Sequence, residues 1–293
     1  MNVLVMTPLI AAFTGVLAAS LLHRFLKPRR AAQLLTAAVL LAALATFSAD
    51  LQVAFAGLAE IPLVADSIVW CRDLYAGGHG ASPTSGLAAA VLLLVMVAGS
   101  VRYAYMVRSE VSVYRGVDGV EVIDVEGPVA FAVPGRPGGV VIGAGLLRDL
   151  DPDERAAVLA HENAHLRYNH HRLIRLSEIC AAGIPLLRPM ARQVRFMTER
   201  WADEVAADQV GSREIVANTI ARVAFMPSAS VAPLALGFAG RGIVGRVDAL
   251  LNPKPMPFFR SASAAVVVLC VVGLGSGLQM HHLAQYLVHM CAD

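Results

Sequence analysis

Four stretches of the chain are apolar for long enough to cross a bilayer as helices: Val3–Leu22, Gln33 to about Phe55, Leu87–Val107 and Ala264–Met280. Such a span takes about 20 residues, because each adds about 1.5 Å of helix and the hydrocarbon layer is about 30 Å thick. The first stretch is uncharged, and Arg24, Lys27, Arg29 and Arg30 follow it rather than precede it, the reverse of a secretory signal. The second stays apolar until Asp50, which is read as hydrated near the outer interface. Arg102 alone interrupts the third.

Between the third and fourth stretches the pattern changes twice. Val111–Gly145 is rich in Val, Ile and Phe and is broken by Gly and Pro at positions 118–119, 127–128 and 134–139, which predicts short strands and turns. The glycines at 135–139 are not followed by the Lys-Ser or Lys-Thr of a phosphate loop. Asp151-Pro152-Asp153-Glu154 then announces a helix, with Asp151 as N-cap, Pro152 in the first helical position and Glu154 reaching back. That helix is expected to run to about Ala182. Gly183, Pro185 and Pro189 break it, and a second helix, about Met190 to Val210, must fold back on it. Arg213–Phe225 and Gly242–Leu251 read as further helices around a loop at Pro227–Gly240.

The expected fold is mainly α: four transmembrane helices with an α+β unit on one side of the membrane. Residues 1–107 would hold three spans, 108–260 the α+β unit, and 261–293 the last span and a short tail. Composition agrees, since 57% hydrophobic and 16% charged residues are too apolar a mixture for an ordinary soluble domain of 293 residues. Charge distribution orients the spans. Arg24–Arg30, Arg102, Arg108 and Arg260 mark the inner side, whereas Glu60, Asp66 and Asp73 face a single Arg72 in the second connection. Both termini are therefore expected outside and the 108–260 segment in the cytoplasm of a multi-pass cell-membrane protein. A net charge of +2 leaves no footprint for nucleic acid. No two of Cys71, Cys180, Cys270 and Cys291 are spaced as a redox or zinc pair; Cys71 and Cys291 fall on the same outer side, where they could form a disulfide.

Inside the first cytoplasmic helix lies His161-Glu162-Asn163-Ala164-His165. Histidines four apart share a helical face and can reach one metal ion, while Glu162 is turned about 100° and can approach a water beside it. Zinc acidifies water, and a carboxylate in that position can take the proton and pass it to a leaving amine. Two histidines leave the metal one protein ligand short, and a Glu on the second helix is the natural supplier. That helix offers two frames of the same pattern, Glu199…Asp203 and Glu204…Asp208. The two glutamates point about 140° apart, so only one can face the metal, and spacing alone does not choose. Ala206 and Ala207 suggest close packing next to the 204 frame. Asp208 could then accept the N–H of a ligating histidine, leaving Glu199 and Asp203 to an exposed face. His170 and His171 are read as inner-surface residues; His79, His281, His282 and His289 lie across the membrane.

Ala130–Leu147 together with Asp153–His165 resembles the integral-membrane gluzincin peptidases, which include the HtpX and CAAX-prenyl-protease group and the BlaR/MecR group of antibiotic-sensor peptidases. Three spans before the peptidase segment and one after it look most like the second group. Glu204-Val-Ala-Ala-Asp208 matches the E-x-x-A-D element of these families, which favours Glu204 as third ligand. The resemblance implies one Zn2+ per chain, held by His161, His165 and Glu204, with Glu162 as base and Asp208 behind a ligand. It places Val140, Val141 and Ile142 beside the metal, where a strand edge could hold an extended substrate. Antibiotic sensors of this kind continue into an external penicillin-binding domain, and no counterpart follows the fourth span here, so direct β-lactam sensing is not expected.

The expected activity is a zinc-dependent endopeptidase acting on a protein or peptide substrate at the bilayer. By resemblance, a BlaI/MecI-type repressor is a candidate substrate or partner. An HtpX-like quality-control peptidase and a non-catalytic zinc-binding scaffold are the alternatives, and an intact Glu162 speaks against the scaffold.

Overall fold

The computed structural model describes residues 13–21, 25–58, 60–61, 82–112, 116–135, 138–226 and 239–253. The fourth expected span, most of the second connection, most of the Pro227–Gly240 loop, Cys71, Cys291, His79, His281, His282 and His289 lie outside them.

Among the described residues, two helices are long and apolar enough to cross a membrane: α1, Pro28–Leu58, and α2, Pro83–Ser112, over its Pro83–Ser109 portion. They pack together so closely that a Cβ on Gly57 would lie 2.5 Å from the Cα of Gly86, so only glycine fits at the crossing. Residues 13–21 of the first expected span are helical, and Ala19 joins the core that α1 builds.

The strands form one mixed sheet in the order β1–β3–β2, from β1 (Gly119–Ile123), β2 (Ala130–Val133) and β3 (Gly139–Gly143). β3 pairs parallel with β1 and antiparallel with β2. It is therefore the central strand, with no edge to offer. Val140, Val141 and Ile142 are buried, which corrects their reading as substrate-binding residues. β2 is the edge strand that packs against the long helix that follows the sheet.

After the short α3 (Ala144–Asp149) comes α4, Pro152–Arg167, which opens as its sequence predicts. The Asp151 carboxylate accepts the Glu154 N–H at 2.9 Å, and the Glu154 carboxylate accepts the Asp151 N–H at 3.0 Å. Asp151→Ala should cost about 1 kcal/mol, read as a lower unfolding temperature of the solubilised protein.

α4 does not run on to Ala182. It stops at Tyr168, and Asn169 takes a left-handed conformation (φ 54°) before α5, His170–Gly183, begins. Asn is among the few non-glycine residues that adopt this backbone readily. A turn at Pro185–Leu187 leads into α6, Arg188–Val210, which ends on left-handed Gly211. α7 (Arg213–Phe225) and α8 (Ala239–Leu251) follow.

Two of the cores among the described residues join the helices that frame the site. Leu35, Val39, Ala42 and Ala45 of α1 pack with Leu187, Met190, Val194, Met197 and Trp201, so a membrane-length helix and the α6 helix share one interior. Ala157 and Ala160 of α4 meet Ala206 and Ala207 of α6 and Ala217 of α7. Alanine on both sides of that seam lets the α4 and α6 backbones approach closely, which matters for what they carry.

Candidate metal centre

His161 and His165 lie one turn apart on α4, and their Nε2 atoms converge to 3.2 Å. The carboxylate that meets them belongs to Glu199 of α6. Its Oε2 is 3.4 Å from His161 Nε2 and its Oε1 is 3.7 Å from His165 Nε2. Among the described residues these three form the group of ligand atoms able to surround one ion. The spacing fits zinc: ligands about 2.0–2.1 Å from a tetrahedral centre are about 3.3 Å from each other. Two imidazole nitrogens and a carboxylate oxygen are also a donor set typical of a catalytic zinc.

The expectation for Glu204 and Asp208 is corrected here. Glu204 turns to α7, where its carboxylate accepts a hydrogen bond from Arg213 at 2.6 Å, and Asp208 is exposed. Helical geometry explains this. Ala206 is seven residues after Glu199, only about 20° away around the helix, but two after Glu204, about 160° away on the opposite face. Ala206 therefore shares a face with Glu199, and the chain confirms the stripe: Ala202, Asp203 and Ala206 are all buried. Asp203 takes the role expected of Asp208, with Oδ1 at 3.0 Å from His161 Nδ1. A histidine that ligates through Nε2 keeps its proton on Nδ1, so His161 donates to Asp203 and its ring is fixed in the ligating tautomer.

Arg246 of α8 closes the arrangement. Its Nε and Nη2 donate to the two oxygens of Asp203 at 2.8 and 2.7 Å, and its Nη1 lies 3.2 Å from Glu199. Such a two-pronged clamp fixes the carboxylate plane and offsets the repulsion between the buried Asp203 and the partly buried Glu199. Burial alone would raise the pKa of Glu199, but the His161 hydrogen bond and the charges of His165 and Arg246 hold it well below the usual range. Asp203 is likewise lowered against burial by Arg246 and His161. Burial opposes protonation of His161, yet its bonds to Asp203 and Glu199 push it up to about 10 without a metal. A doubly carboxylate-flanked imidazole that attracts a proton so strongly offers the same place to a cation. His165 is lowered, first by burial. Glu162, half-buried one position after His161, is close enough for its charge to act on both His165 and Arg246.

His170, read from the sequence as a surface residue, is fully buried. Its Nδ1 lies 3.3 Å from His165 Nδ1, and its ring packs on Trp201 with centroids 4.4 Å apart. Burial, with His165 close by, pushes its pKa down to about 3, so it is neutral and able to accept the His165 Nδ1–H. His161 is thus backed by a carboxylate and His165 by an imidazole. The left-handed Asn169 makes this contact by turning His170 back toward α4. His170→Phe, which keeps the ring against Trp201 but removes the acceptor, should weaken zinc binding about 10- to 100-fold, with partial recovery in His170→Asn. Chelator competition measures this.

No solved structure matches the chain. Residues 115–187 match the family model described as peptidase family M48. That segment holds the whole sheet, α4 with His161, Glu162 and His165, and the His170 that backs them, whereas Glu199, Asp203 and Arg246 lie beyond it. The match and the His161–His165–Glu199 group together support a zinc metallopeptidase.

Proposed function

We propose that this protein is a membrane-bound zinc endopeptidase that hydrolyses peptide bonds of a protein substrate on the cytoplasmic side of the cell membrane. The observation that carries the reading is the convergence of His161, His165 and Glu199 at ligand spacing, next to Glu162. When bound, zinc supplies a Lewis acid that acidifies water and polarises a carbonyl. Glu162 accepts the proton of the attacking water at its carboxylate and returns it to the departing nitrogen. Asp203 and His170 hold the two ligand imidazoles in their Nδ1-protonated tautomers, and Arg246 holds Asp203.

β2 takes over the substrate role first given to β3. It is the edge strand, it packs against α4, and an extended peptide can add to it by main-chain hydrogen bonds. The orientation follows the basic residues beside the spans, with both termini outside. The likeness to the BlaR/MecR group makes a BlaI/MecI-type repressor the first substrate to try, in a regulatory role.

The test is direct. Purified chain should contain one zinc and cleave an unstructured protein substrate; a chelator should abolish cleavage and added zinc restore it. Cleavage that survives complete removal of metal would refute the proposal.

A further inference from the structure

The hairpin of α5 and α6 does not stay beside the ends of the membrane-length helices. Its tip touches the middle of α2. A Cβ on Gly99 would lie 2.6 Å from the carbonyl oxygen of Ala182, and one on Gly183 would lie 2.6 Å from that of Met96, so the two backbones are in contact. Ser100 Oγ donates to the Ile179 carbonyl at 3.0 Å. On the other side, Leu187, Met190 and Val194 share a core with residues of α1 as far along as Ala42 and Ala45.

We infer that this tip, Ile179–Leu187, is inserted into the hydrocarbon of the leaflet on the peptidase side, as a lipid-contacting wedge. The inference rests on the reading that α2 crosses the bilayer, and the depth then follows from lengths. The portion of α2 that can cross, Pro83–Ser109, has 27 residues, with Arg102 three positions beyond Gly99. It is therefore about 40 Å long against a hydrocarbon layer of about 30 Å, so the layer can slide along it by about 10 Å. Gly99 lies ten residues before Ser109, about 15 Å from that end. Wherever the layer sits along α2, Gly99 and the tip beside it are at least about 5 Å inside.

The tip is built for that place. Ile179–Leu187 contains no charged residue. Leu186 is 68% exposed and continues the apolar surface of α2, where Leu94 is 69% and Val95 61% exposed. Two of its backbone N–H groups are satisfied within the turn, Ile184 to Cys180 at 2.8 Å and Leu187 to Ile184 at 2.9 Å, and Pro185 has no N–H to leave bare. The charges begin immediately outside. Glu178 is held by Tyr103 and, at 2.5 Å, by Arg195. Arg188 is exposed with a stem long enough to reach the headgroups. The wedge also sets the height of the metal centre. Glu199 follows Leu187 by twelve residues, about 18 Å of helix, which keeps the site within about 13 Å of the hydrocarbon edge.

The test uses the full chain with its four cysteines replaced, reconstituted in phosphatidylcholine vesicles and spin-labelled singly at Leu186→Cys, Leu94→Cys or Glu214→Cys. Retained zinc shows that each variant is folded. Collision with oxygen, which partitions into lipid, is compared with collision with a water-soluble nickel chelate. Oxygen should dominate at positions 94 and 186 and the nickel complex at 214. A lipid signal at 94 with a water signal at 186 would overturn the wedge and leave the membrane reading intact. A water signal at both positions would overturn the membrane reading, and the wedge with it.

Discussion

A Glu162→Gln protein should keep its zinc, its fold and its melting temperature, and lose cleavage by about 10²- to 10⁴-fold, the usual worth of a positioned general base. Glutamine has the shape of glutamate and can occupy the same half-buried position on α4, but it cannot take a proton. None of the three atoms at ligand spacing belongs to Glu162, so metal content should not change. The separation of the two readouts is the point of the experiment. Loss of zinc together with activity would mean that Glu162 is part of the metal shell. Full activity in the zinc-loaded variant would mean that the proton acceptor is another group, and the assignment of roles on α4 would fail.

Much of this site was legible because it is local. Histidines four apart on one helix and an N-terminal Asp-Pro-Asp-Glu depend on contacts within a turn or two, and both fold as the spacing predicts. The frame of the third ligand is where sequence expectation and structure part, for a reason visible in the same residues. Ala206 and Ala207 do press against α4, and Ala206 lies two full turns beyond Glu199 rather than beside Glu204. Counting around the helix places Ala206 under Glu199. Asp203 then stands one turn from Glu199 on the same face, and the E-x-x-x-D pattern falls into its functional frame.

Other features could not be read locally. Arg246 clamps Asp203 from a position 43 residues further along, and nothing in the sequence around Gly245 announces it. A helix continued through Asn169 carries His170 about 140° around from His165; the left-handed Asn169 that redirects it is not distinguishable in the sequence from an asparagine inside a helix. The central position of β3 was equally hidden. Its run of buried residues signals a strand covered on both faces, but strand order depends on which chain segment crosses over, and β1 returns to pair with β3 rather than with β2.

Glu199→Gln and Glu204→Gln, compared side by side, should differ more than any other pair of changes to α6. The first removes the anionic ligand from between two imidazoles and leaves Arg246 facing Asp203 alone. A neutral amide oxygen is a much poorer zinc donor, so affinity should fall by more than the 10- to 100-fold typical of losing an outer partner of a ligand, and cleavage should vanish with the metal. The second cuts one contact to Arg213, a half-exposed ion pair worth at most about 1 kcal/mol, and zinc content should stay at one per chain. Asp203→Asn belongs between them, because an amide can still accept from His161 but no longer matches the charge of Arg246. The order of zinc loss, Glu199 before Asp203 before Glu204, therefore reads out the facing side of α6 in a single series of metal analyses. Zinc lost from the Glu204 variant and retained in the Glu199 variant would mean that α6 is rotated by about 140° in the working protein, and the centre described above would have to be rebuilt around the other face.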